Sequence, residues 1–319
     1  MKTLSDLGKV YDDFFGENPE MDNKQNQAGN KSTEEGAKKK EPEKPPMQEL
    51  EELIGLSVIK EDVKELVSLV KAQQLRKEQG LKTVPVSLHL VFSGNPGTGK
   101  TTVARILARL YKEIGILSQG QLVEVDRSGL VAGYVGQTAI KTQEKIKEAM
   151  GGVLFIDEAY TLAKEGNDFG QEAIDTILKA MEDHRDDLVV IVAGYTDLMK
   201  KFVESNPGLK SRFNKFMEFP DYSAEELQAI FDLQCKKYDY VTDEEAKQAI
   251  EEKIVKLEAE KGENFANARS VRNLFESIIT NQAARIAAMP APDQDDLRQI
   301  LLADVVRDDE RQELEEPEN

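Results

Sequence analysis

The sequence predicts an α/β fold: a parallel five-stranded sheet sandwiched by helices, followed by a small all-helical domain. Three observations carry that expectation. Between residues 49 and 220, apolar runs of strand length alternate with amphipathic helical stretches, the pattern of a sheet covered on both faces. A glycine-rich loop falls between the first such run and the helix after it. Beyond residue 220 the strand-length runs cease and helical periodicity continues alone.

Taken in chain order, residues 1–48 read as a charged, disordered arm, because 16–47 hold almost no apolar side chains to offset the entropy of ordering. Within it Leu4, Leu7, Val10, Phe14 and Phe15 have near-helical spacing, which fits either a short docking helix or a frayed terminus. Lys38, Lys39 and Lys40 are flanked by Glu34, Glu35, Glu41 and Glu43, so that run reads as a solvated tether. Residues 49–220 form the expected α/β domain, with strands at 88–93, 121–126, 153–157, 188–193 and 216–219. The helix expected over 101–114 repeats apolar residues at Val103, Ile106, Leu107 and Leu110, with Gly115 placed to stop it. Residues 221–305 form the helical unit, with helices at 224–236, 243–261, 268–288 and 293–304. The acidic, proline-tipped tail 306–319 is expected to be disordered.

Composition narrows the function. The 319 residues are 32% charged and 39% hydrophobic, with no Trp and a formal charge of -18. That acidity disfavours partners bound by neutralising phosphate, so neither nucleic acid nor an anionic membrane is expected. No apolar run resembles a signal-peptide core or reaches the roughly 18 residues of a membrane span. A cytoplasmic protein without membrane insertion is the expectation. Cys235 has no second cysteine to pair with, and His89 and His184 alone cannot complete a structural zinc site.

The chemistry-bearing motifs are two. Gly94-Asn95-Pro96-Gly97-Thr98-Gly99-Lys100-Thr101 fits G-x-x-x-x-G-K-[ST] and lies between a strand and a helix start. Its glycines let backbone N–H groups wrap phosphates, Lys100 reaches the outer phosphates, and the Thr101 hydroxyl takes a place on Mg²⁺. The second is Gly152-Val153-Leu154-Phe155-Ile156-Asp157-Glu158-Ala159, an apolar strand ending in two carboxylates at the ligand-presenting edge of a parallel sheet. Asp157 would hold Mg²⁺ and Glu158 would polarise the attacking water. ATP and Mg²⁺ are the expected cofactors.

These motifs and the helical unit after them resemble an AAA+ ATPase. The blocks LHLVFSGNPGTGKTTVAR, GLVAGYVGQTAIKT, GGVLFIDEAYTL, FGQEAIDTILKAMEDHRDDLVVIVAGY, SNPGLKSRF, FPDYSAEEL and NARSVRNLFE are similar to the branch containing red-type Rubisco activase and sporulation stage V protein K, over residues 53–304. Similar modules occur in type VII secretion ATPases. The resemblance implies nucleotide contacts at Ile54 and Gly55, in the segment that packs on adenine, and at Asn95, Pro96, Gly97, Thr98, Gly99, Lys100, Thr101, Thr102 and Asp157. It implies that Arg212 is a finger completing a neighbouring subunit's site in trans, and hence a homo-hexameric ring. Red-type activases often carry a second arginine two positions earlier, where this chain has Lys210. It also implies that Arg269, with Arg272 one turn on as the alternative, is a lid sensor; Tyr195 and Thr196 compete as first sensor. Tyr134, with Val135 beside it and glycines around it, resembles a pore-loop aromatic that grips polypeptide, and residues 165–169 form a possible second pore loop.

The function expected is therefore a ring ATPase that remodels a protein substrate, sporulation stage V protein K-like. The alternatives are a red-type Rubisco activase releasing inhibitory sugar phosphates, and an ATP-controlled assembly scaffold with little turnover. Glu158 and Arg212 together argue against the scaffold. A clamp-loader-like machine on nucleic acid is disfavoured by the acidity, and a kinase by the lack of an acceptor-binding signature.

Overall fold

The computed structural model describes residues 44–84, 86–134, 136–163, 169–262 and 265–307. The amphipathic stretch near the N-terminus, Val135, 165–168 of the possible second pore loop and most of the acidic tail lie outside the described residues. The first helix among the described residues, α1 (Pro46–Glu52), opens inside the stretch assigned to the arm. Pro46 pre-sets the first helical turn and Leu50, 0% exposed, anchors it in the core. α2 (Ser57–Glu78) follows at once, and its buried Ile59, Val63, Leu66, Val67 and Val70 recur at helical spacing. Lys60 Nζ donates to the Glu51 and Leu53 carbonyls at 3.0 and 2.6 Å, closing the end of α1.

The sheet holds β1 (Leu90–Gly94), β2 (Leu122–Val125), β3 (Val153–Ile156), β4 (Val189–Gly194) and β5 (Lys215–Phe219) in the order β2-β3-β4-β1-β5, all parallel. The three inner strands are buried along their whole length and read as continuous apolar runs. β5 lies at the edge and alternates, burying Met217 and Phe219 and exposing Phe216 and Glu218, which explains its weak signal in the sequence. Strand alternation divides the core into two layers. Phe92, Phe155 and Ile191 face Ile59, Val103 and Leu107 on one side, and Val91, Leu154 and Val190 face Ile174, Ile177 and Met181 on the other. The helices between strands are α3 (Lys100–Glu113), α4 (Arg127–Leu130), α5 (Gln137–Ala149), α6 (Gly170–Asp183), α7 (Thr196–Glu204) and α8 (Pro207–Arg212).

The lid contains α9 (Ala224–Lys237), α10 (Glu244–Ala259), α11 (Ala268–Ala287) and α12 (Gln294–Arg298). Ser223 and Glu226 close a capping box at the start of α9, and Asp243 caps α10. Its Leu227, Phe231, Ile250, Val271 and Phe275 continue the same core that lies under α2 and α3. The lid is not wholly helical: where one helix is expected over 293–304, α12 stops at Arg298 and β7 (Gln299–Ile300) pairs in parallel with β6 (Val241–Thr242). The cause is a set of polar side chains on α11. Gln282 Nε2 donates to the Leu297 and Gln299 carbonyls, and Arg285 donates to the Gln299 carbonyl and to both carboxylate oxygens of the buried Asp304 at 2.9 Å. These bonds capture backbone groups that a helix would otherwise use among themselves.

Candidate functional site

The carboxyl ends of the central strands face the lid across a cavity of about 520 Å³. The phosphate loop forms its floor. The helix α3 starts at Lys100 with Gly99 as its N-cap and no side chain capping it, so its first N–H groups point at the cavity as donors for an anion. Gly97 sits at φ +72°, and a Cβ there would lie 2.2 Å from the Ala266 carbonyl, so only glycine lets the lid backbone approach the loop this closely. Lys100 Nζ donates to the Gly94 and Asn95 carbonyls at 2.9 and 2.8 Å. Burial pushes this ammonium down to about 8; nearby Asp157 opposes the shift and Arg269 adds to it. A half-buried cation whose hydrogen-bond partners are neutral carbonyls is a seat for a polyphosphate.

The two acids follow β3. Asp157 is anchored by its N–H to the Val125 carbonyl at 2.8 Å, and its Oδ1 accepts the Glu158 N–H at 3.0 Å. Glu158 holds φ +47°, a strained conformation for a side-chain-bearing residue, kept in place by the Thr161 N–H and hydroxyl, which both donate to its carbonyl. Both carboxylates line the cavity, as does Thr101. One hydroxyl and one carboxylate suit Mg²⁺, which keeps most of its coordination for phosphate oxygens and water. Tyr160 is a neighbour that sequence reasoning missed: burial and the Glu158 carboxylate raise its phenol to about 12, and its ring lies 6.2 Å from that of Tyr195. Its position two residues after Glu158 was the available signal.

The far end of the cavity is apolar, lined by Leu53, Ile54, Leu56, Tyr222, Ile230 and Leu233, a surface suited to a flat base. Tyr222 and the lid residues Ile230 and Leu233 were not anticipated, since only the packing of α9 brings them there. Of the expected nucleotide contacts, Ile54, Pro96, Gly97, Gly99, Lys100, Thr101, Thr102 and Asp157 line the cavity. Gly55, Asn95 and Thr98 are not among the lining residues. Gly55 turns toward the Glu226 carboxylate, Asn95 binds Asp221, and Thr98 is buried with its hydroxyl on the Asn95 carbonyl. Arg269 and Arg272 both reach the cavity from α11, so the geometry leaves both in play. Between the first-sensor alternatives, Tyr195 lines the cavity and Thr196 opens α7 behind it.

Two expected site residues lie elsewhere. Arg212 ends α8, donating to Glu182 Oε2 at 3.4 Å, and its carbonyl accepts the Ser87 hydroxyl at 3.0 Å. Ser87 precedes β1, so Arg212 sits at the amino end of the strand whose carboxyl end carries the phosphate loop, about 16 Å along the strand. Tyr134 is 74% exposed on the loop between α4 and α5. The base of that loop is held firmly: Thr138 Oγ1 accepts the Ala132 N–H, the buried Thr142 donates to the Leu130 carbonyl, and Lys141 reaches the Ser128 carbonyl.

A phosphate loop on a parallel sheet, an acid pair beside it and a helical lid closing over both define a P-loop nucleoside triphosphatase with a lid domain. Comparison with known proteins carries this further: residues 90–221 match the ATPase family associated with various cellular activities (AAA), and 223–315 match the AAA lid domain. The chain is 43% identical to stage V sporulation protein K of Bacillus subtilis (strain 168) over 240 residues, covering 75% of this chain and 74% of that protein. It is 47% identical to protein CbbX of Cereibacter sphaeroides over 74% of this chain and 76% of that one. With the chloroplastic ribulose bisphosphate carboxylase/oxygenase activase of Cyanidioschyzon merolae the identity is 45%, over 75% and 82%. The chain therefore belongs to the AAA ATPases, in the branch that holds these proteins. Among solved structures, the AAA domain of FIGL-1 in complex with ADP has a TM-score of 0.56 at 19% identity, covering 80% of this chain and 81% of that one. The Thermotoga maritima RuvB branch migration motor has a TM-score of 0.51 at 21%, covering 82% and 71%. Those two likenesses concern the fold. Among the described residues, no helix is long and apolar enough to cross a membrane.

Proposed function

We propose that this AAA ATPase works as a homo-oligomeric ring, hexameric by resemblance, that hydrolyses ATP to remodel a protein threaded past Tyr134. The observation that carries the reading is the placement of Arg212. At the opposite end of β1 from the phosphate loop, it has no access to its own cavity, and a cation so placed acts in hydrolysis by entering a neighbour's site. Within one site, Lys100 and the N–H groups at the start of α3 hold the phosphates. Glu158 takes a proton from the attacking water, and Arg269 reaches the nucleotide from the lid. Thr101 and Asp157 would hold Mg²⁺, which would supply charge neutralisation for the phosphates. Residues 49–220 act as the nucleotide-binding part and 221–305 as the lid that swings on it.

A route from site to loop supports the remodelling role. The Thr161 carbonyl, in the turn that fixes Glu158, accepts Arg127 Nη1 at 2.6 Å, and Arg127 begins α4, which leads into the Tyr134 loop. An exposed aromatic on a loop with a hydrogen-bonded base suits gripping an unfolded segment by apolar contact. We favour a client of the stage V sporulation protein K type, with a Rubisco-type client as the second reading. The test is steady-state ATP hydrolysis against protein concentration, with light scattering in ATP. Specific activity rises with concentration in the parent, collapses in Arg212→Ala and survives in Tyr134→Ala. Activity independent of both concentration and Arg212 would refute the shared site and leave a monomeric switch or scaffold.

A further inference from the structure

Asn267 is fully buried, yet its backbone holds φ 49° and ψ −125°, a region that glycine enters freely and other residues avoid. What its amide does accounts for its presence. Oδ1 accepts the Tyr222 N–H at 2.9 Å, and Nδ2 donates to Asp221 Oδ1 at 2.7 Å, with the Phe265 and Pro96 carbonyls at 3.2 and 3.3 Å. Asp221 receives a second amide from the phosphate loop: Asn95 Nδ2 lies 3.0 and 3.1 Å from its two oxygens. One half-buried carboxylate at the junction of the two family-matched segments thus joins the loop, the hinge and the entry to α11. The backbone follows the same path, since the Ala268 N–H donates to the Gly97 carbonyl at 3.3 Å.

We propose that Asn95, Asp221 and Asn267 form a latch that ties the lid's angle to what the phosphate loop holds, with Asp221 and Asn267 as positioning residues. The inference rests on the reading of the cavity as an ATP site and extends it. A carboxylate only accepts and both amides present donors, so the cluster has one satisfied arrangement and its three members move together. The input is the Asn95 carbonyl, which accepts from Lys100 Nζ at 2.8 Å and from the Thr98 hydroxyl at 2.8 Å. When a terminal phosphate draws the ammonium into the cavity, that carbonyl loses one of its two donors and the loop shifts. The Asn95 side chain passes the shift to Asp221, and Asn267 passes it to α11, whose second residue is Arg269. Loss of the terminal phosphate reverses the sequence, so the lid distinguishes a nucleoside triphosphate from a diphosphate even apart from direct contact by the lid arginines.

The test is hydrogen exchange of α11 in the full chain, saturated with ADP or with a non-hydrolysable ATP analogue, for the parent, Asp221→Asn and Asn267→Gly. Affinities for both nucleotides are measured on the same samples. Asp221→Asn keeps the shape but sets an amide donor against Asn95 Nδ2, which lies 3.1 Å from Oδ2 in the parent; Asn267→Gly removes the hydrogen bonds while relieving the backbone, and so preserves the fold by a different route. In the parent, the two nucleotides change protection at the start of α11 by about tenfold relative to one another. In both variants that difference disappears while both nucleotides still bind and β1 and β4 keep their protection. A variant that binds nucleotide, keeps its strands protected and retains the parent's difference overturns the latch, as does a parent with no difference. A parent that binds neither nucleotide overturns the ATP-site reading itself, a separate and recognisable outcome.

Discussion

Acid should destabilise this protein through one buried histidine. His89, 7% exposed beside the start of β1, accepts the Val190 N–H on Nδ1 at 3.0 Å, so its proton sits on Nε2, where the Met181 carbonyl accepts it. Burial, reinforced by the Arg212 charge and opposed by that carbonyl, pushes the imidazole from 6.5 down to about 4. Charging it would also place a second donor against the Val190 N–H. Between those two values the unfolded chain binds more protons than the folded one, so stability falls as the pH falls, and the loss is complete below the lower value. At about 1.4 kcal/mol per pH unit, the displacement amounts to about 3 kcal/mol. His89→Asn keeps an acceptor near the Nδ1 position and cannot titrate. Urea unfolding from about pH 7 to about pH 4 isolates the effect, because surface carboxylates act alike in both proteins. The parent's stability relative to the variant drops by about 3 kcal/mol across that range. A difference that stays constant with pH would refute the reasoning.

Further outcomes concern the lid and the chemistry. Arg285→Met leaves the Asp304 carboxylate, 1% exposed, without its cation and costs about 3–5 kcal/mol, while the double change with Asp304→Leu recovers most of the loss. Thermal unfolding of the four proteins in that cycle checks it, and a single variant costing no more than a surface pair sinks it. Glu158→Gln keeps ATP binding and lowers turnover by about 10²–10⁴-fold, as read by equilibrium binding beside single-turnover hydrolysis. Unchanged turnover would move the base elsewhere.

Much of the molecule was legible because it depends on neighbours in the chain. The inner strands announce themselves as unbroken apolar runs, since both faces are covered. The edge strand β5 was faint because half of its residues face water. The phosphate loop needs glycines at fixed spacing before a helix start, and the acids must follow a buried strand, so both motifs stand out within eight residues. Lid helices were legible by periodicity, but the break after Arg298 was not, because Gln282 and Arg285 act on it from another helix.

By itself, then, the sequence determined the class of fold, the phosphate loop with its acids and the membership of the AAA branch, all of which are written in local spacing or contiguous blocks. Only the tertiary structure decided that Tyr160 stands against Glu158 and that Tyr195 lines the cavity while Thr196 opens the next helix. It alone placed Arg212 at the far end of β1. It alone brought Asn95 and Asn267 to Asp221, across 126 and 46 positions of chain. The physical reason is that an amide and a carboxylate carry no sign of their partner in sequence: any surface asparagine looks the same until packing removes water and leaves one acceptor within reach.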